Sequence, residues 1–108
     1  MYMILYIDTS DSTNTKVVLK KGEEDVVLEE KTGVTKSQNI LPLIEKLLQQ
    51  EHIALGDLTG VEVHTGPGSF TGVRGGVTVA NTLAWSLGIP VNGAKPPIFP
   101  RYEASKFD

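Results

Sequence analysis

The 108-residue chain, 40% hydrophobic and 21% charged, has the composition of one small globular domain. A net charge of -3, with Arg74 the sole Lys or Arg between Leu47 and Ala94, excludes the basic stripe that tracks a nucleic-acid backbone. The lack of cysteine excludes a disulfide scaffold, thiolate zinc sites and a cysteine nucleophile, and it fits a cytoplasmic home.

A chain this short buries only about 60–65% of its unfolded surface, so modest stability and support from a partner or a second copy are expected. The opening apolar run ends at Asp8, too short for a signal sequence or a membrane span. Met3 to Ile7 has no helical spacing and reads as a strand buried on both faces. A polar turn from Asp8 to Asn14 leads to a strand over Thr15–Lys20, a hairpin turn at Lys21–Glu24 and a third strand over Asp25–Glu30. Ile40, Leu43, Ile44, Leu47 and Leu48 recur at helical spacing and predict an amphipathic helix from Ser37 to Glu51, with Ser37 as N-cap and Pro42 tolerated near its start. Gly56-Asp57 turns the chain into a strand over Gly60–Thr65. A second helix follows over Ser69–Ser86, with Val73, Val77, Ala80, Ala84 and Leu87 along one side and Gly88 as its stop. "IPVNG", residues 89–93, reads as a last short strand, and the proline-rich tail from 94 to 108 as irregular, with a short turn of helix at its end. The order βββαβαβ predicts an α/β domain with a mixed five-stranded sheet and helices packed on it.

"GPGSFTGVRGG", residues 66–76, joins the fourth strand to the second helix. It lacks the lysine of a phosphate loop, the third glycine of a dinucleotide fingerprint and the first glycine of a nucleophile elbow. What remains is a sharp turn into a helix N-terminus, whose free amides and dipole suit an anion. Asp8, Thr9, Ser10, Gly66, Gly68 and Ser69 are therefore weak phosphate-site candidates. The structural alternative is that Gly66 and Gly68 permit the turn, while Gly72, Gly75, Gly76 and Ala80 let the helix press on a neighbour. His64 and Glu62 share a strand face, but His52 lies at the far end of a helix, so no metal site forms. No catalytic residue and no cofactor is assigned.

"MILYIDTSDS", "SQNILPLIEKLL", "LTGVEVHTGPGSFTGVRGG" and "NTLAWSLGIPVNG" together resemble the N-terminal half of the TsaB (YeaZ) family, related to the M22 glycoprotease-like proteins. The resemblance covers residues 3 to 93, which divides the chain into a TsaB-like domain over 1–93 and a tail over 94–108. It implies one half of an actin-like ATPase, ribonuclease H-like fold, and a role in the threonylcarbamoyl modification of adenosine in certain tRNAs. In that family TsaB is a non-catalytic paralogue that pairs with the transferase TsaD, with the ATPase TsaE joining the assembly. The TsaD relatives carry a His-x-x-x-His metal pair where this chain has "GAKPPIFPRYEA". Family members normally continue into a second domain, and Gly75 stands where isoleucine is common.

The leading expectation is a non-enzymatic interaction module, a homodimer or the partner of a TsaD-like transferase, with a TsaE-like ATPase as a further partner and no contact with nucleic acid or membrane. A nucleotide-binding half-site and a regulator that occupies the TsaD interface are the alternatives. The expected interface comprises Ile40, Leu41, Leu43, Ile44, Leu47 and Leu48 from the first helix. The second contributes Gly72, Gly75, Gly76, Val79, Ala80 and Leu83. Ile98 and Phe99 are expected to pack back onto the domain.

Overall fold

A computed structural model describes residues 2–11, 13–31, 37–66 and 70–99, without the side chains of 37–39 and 70–72. Its elements are β1 (Met3–Asp8), β2 (Asn14–Lys21), β3 (Glu24–Lys31), α1 (Ser37–Gln50), a 3₁₀ turn (Leu55–Asp57), β4 (Gly60–Val63) and α2 (Phe70–Leu87). They form a four-stranded sheet in the order β3-β2-β1-β4, antiparallel except for the parallel β1–β4 pair.

The register sorts the side chains. Leu5 and Ile7 of β1 lie opposite Leu19 and Val17 of β2 and beside Val61 and Val63 of β4. All six are buried in one cluster with Ile40, Leu43, Ile44, Leu47 and Leu48 of α1 and Val73, Val77, Ala80 and Ala84 of α2. Both helices therefore cover the same sheet face. The other face carries Ile4, Tyr6 and Lys20, all half-buried, which corrects the reading of β1 as buried on both sides. No described helix lies there. Instead Lys20 Nζ sits 5.4 Å from the Tyr6 ring centroid and 2.8 Å from Glu62 Oε1. Burial, and then Asp8, push the Tyr6 hydroxyl above its usual pKa, while the hydrogen bond to Glu62 raises that of Lys20.

Both helices end in the same way. Ile89 N–H donates to Ala84 O and Gly88 N–H to Trp85 O, with Gly88 left-handed at φ 68. Ile53 N–H donates to Leu48 O and His52 N–H to Gln49 O, with His52 at φ 57. These are Schellman caps, each followed by an apolar residue that folds back on the helix. The first uses the expected glycine, and the second forces a histidine into a region that disfavours side chains. Pro42 is accommodated inside α1, its ring exposed.

The expected fifth strand contracts to one residue. Val91 makes a parallel bridge to Val61, with Val61 N–H donating to Pro90 O and Asn92 N–H to Val61 O. Asn92 (φ 51) and Gly93 (φ 74) then turn the chain. The ladder continues through a side chain: Val63 N–H donates to Asn92 Oδ1 at 2.8 Å, and Asn92 Nδ2 donates to Val63 O at 3.1 Å. The carboxamide stands in for a missing peptide group.

Candidate functional site

Two places draw the expected functional residues together. At the first, β1, β4 and α2 converge. Asp8 Oδ1 accepts from Ser10 N–H at 2.9 Å and Ser10 Oγ at 2.6 Å, so this carboxylate closes a local turn. Asp11 repeats the device with Thr13, at 2.8 Å for both bonds. Thr9 is buried against α2: a Cβ placed on Gly76 would fall 2.5 Å from Thr9 Oγ1 and 3.5 Å from Ile7 Cγ2. Gly76 thus lets the helix backbone lie directly on the end of β1. Gly66 sits at φ 129, beyond the His64 N–H to Ile7 O bond that extends the β1–β4 pairing. Gly68 and Ser69 lie outside the described residues. Among the described residues, no group of three His, Asp or Glu side chains is disposed to hold a metal ion.

At the second place the outward surfaces of the helices meet. Ile40, Leu43, Ile44, Leu47, Gly76 and Ala80 are buried within the protomer, and Ile44 also lines the groove between the helices. Gly72 falls outside the described side chains. Gly75, Val79 and Leu83 are half-exposed, and Leu41 is 54% exposed. Between the helices and the 3₁₀ turn runs a groove of about 350 Å³, walled by Leu41, Leu48, Ile53, Leu55 and Leu83 with Glu45 at its rim. Just past the end of α1, Glu51 pairs with Lys21 at 3.0 Å, and Lys21 also meets Glu24 at 3.4 Å. The same hydrogen bond raises the Lys21 pKa and lowers that of Glu51.

The sequence reading missed Leu55, which shapes this groove, and Asn92. The Asn-Gly pair at 92–93 was the available signal for a turn. No described helix is long and apolar enough to cross a membrane.

The sheet order and the two helices on one face define an α/β unit of the actin-like, ribonuclease H-like class. The family model described as TsaD, tRNA N6-adenosine threonylcarbamoyltransferase, matches residues 27–95. The TsaB biosynthesis protein of Bacillus subtilis is 44% identical over 91 residues, covering 82% of this chain and 39% of the relative. The Haemophilus influenzae TsaB protein is 34% identical over 88 residues, covering 82% and 37%. The solved structure of YeaZ from Pseudomonas aeruginosa aligns with a TM-score of 0.79 at 32% identity, covering 84% of this chain and 42% of that one. This chain belongs to the TsaB (YeaZ) family and corresponds to its N-terminal part. It spans about two fifths of the length of these relatives.

Proposed function

We propose that this chain acts in the biosynthesis of threonylcarbamoyladenosine in tRNA as a non-catalytic pairing module. Its helices would contact a second copy or a TsaD-like transferase, with a TsaE-like ATPase in the wider assembly. The observation that carries this reading is the α1–α2 groove, apolar and open, with Leu41 and Leu55 standing 54% and 43% exposed beside it. Apolar side chains grouped around an open groove support a protein contact. The Asp8 carboxylate, the strongest candidate for chemistry, already accepts two hydrogen bonds from Ser10.

The experiment is reconstitution. The chain is co-purified with a TsaD-type transferase, and modified adenosine is then measured with the chain present and absent. Stable co-purification together with transferase-dependent modification supports the reading. Modification or ATP hydrolysis by the chain alone would overturn the non-catalytic role, and failure to co-purify would overturn the pairing.

A further inference from the structure

Asn81 lies on the flank of α2 about 200° around the helix from Leu83 and the groove. Its Nδ2 donates to Ile98 O at 2.7 Å, and Ile98 N–H donates back to its Oδ1 at 2.8 Å. Once more a carboxamide imitates a neighbouring strand, here gripping the chain's own tail. Pro96 and Pro97 have no amide hydrogen, and no other hydrogen bond among the described residues holds 95–99. Ile98 packs against the core cluster, whereas Phe99 is 74% exposed. Trp85 stands 82% exposed between two grooves of about 430 and 550 Å³, both walled on one side by Pro96. The tail's hydrogen bonds to the helix thus fall on one residue, Asn81, with open space on either side.

We infer that residues 95–99 form a strap with a single latch, Asn81, which opens without unfolding the domain and controls access to the α2 flank beside Trp85. Local openings of this kind occur where few contacts hold a segment. Opening frees the Asn81 carboxamide, the seat of Ile98 and one wall of Trp85, a surface made for an extended apolar segment such as the one that now fills it. The match to the family model ends at residue 95, the first residue of the strap. Its regulatory consequence rests on the pairing reading; its existence does not.

The test uses the full chain and two variants, with Ile98 amide exchange followed by NMR and Trp85, the single tryptophan, by fluorescence. In Asn81→Ala, exchange at Ile98 should rise at least tenfold while the amides of Leu5 and Val17 keep their protection. Asn81→Asp keeps an acceptor but loses the donor, so its strap should stand open near neutral pH. It should close below about pH 4, when a proton restores the donor. Trp85 emission should follow that titration in Asn81→Asp and in neither the parent chain nor Asn81→Ala. Unchanged Ile98 exchange in Asn81→Ala, loss of protection at Leu5 and Val17 together with Ile98, or an Asn81→Asp variant without the titration would each overturn the strap. Pairing is read separately by mass, so either reading can fail alone.

Discussion

Replacing Gly76 with alanine tests the close approach of α2 to β1. The new methyl would stand 2.5 Å from Thr9 Oγ1, well inside ordinary contact, and 3.5 Å from Ile7 Cγ2. Thr9 is 1% exposed, and a β-branched side chain in a closed site has little rotamer freedom. The strain must therefore lift α2 from β1. Overpacking of this kind costs about 1–3 kcal/mol, and the better helix propensity of alanine returns about 1 kcal/mol. The net loss should be about 0–2 kcal/mol, a fall in melting temperature of up to roughly 15 °C for a domain of this size. Circular dichroism melts of Gly76→Ala, Thr9→Ala and the double variant close a thermodynamic cycle. With Thr9 Oγ1 removed, the nearest of these atoms lies at 3.5 Å, so the double variant should recover about 1 kcal/mol relative to additivity. A Gly76→Ala protein that melts above the parent, or a strictly additive double variant, would refute the close packing of α2 on β1.

Asn92→Ala removes both bonds to Val63 and should cost about 1–3 kcal/mol by urea denaturation; Asn92→Gly, which suits the left-handed backbone but lacks the carboxamide, should also destabilise. His52→Gly should stabilise by about 1 kcal/mol, because glycine takes the left-handed cap without a Cβ penalty, and a lower urea midpoint would contradict that. Glu51 has its folded pKa depressed by Lys21, so its contribution is complete above the ordinary glutamate range and is lost as pH falls through the folded value. Between about pH 5 and pH 3 the parent should therefore lose more of its urea midpoint than Glu51→Gln does; equal losses would show that the pair is inactive.

The period of the apolar residues made both helices and the three-strand meander legible, and Gly88 marked the end of α2. His52 carried no such mark, because its left-handed cap depends on Ile53 folding back toward Leu48, a contact that local propensity does not encode. The run Met3–Ile7 looked buried on both sides because Ile4 and Tyr6 are apolar enough to hide the alternation. Their face is shared with Lys20 and Glu62, whose ion pair keeps it wet. Among the expected site residues, Thr9 lies against Gly76 of α2, and Asp8 closes a local turn with Ser10. Periodicity could not tell a core stripe from an interface stripe. Ile40, Leu43, Ile44 and Leu47 repeat at the spacing either role requires, and only the register of α1 over Val17 and Leu19 assigns them to the protomer. Leu41, one residue off that stripe, is left exposed.

Light scattering on the chain at tens of micromolar, alone and mixed with a TsaD-type transferase, tests the pairing surface most directly. The expected result is a dimer mass alone or a one-to-one complex in the mixture, with Leu41→Arg and Leu83→Arg returning the chain to monomer mass while circular dichroism stays unchanged. Arginine at either position would bring an unpaired charge into a desolvated contact, at a cost of several kcal/mol. A monomer in both samples, or an assembly whose mass neither substitution alters, would contradict it.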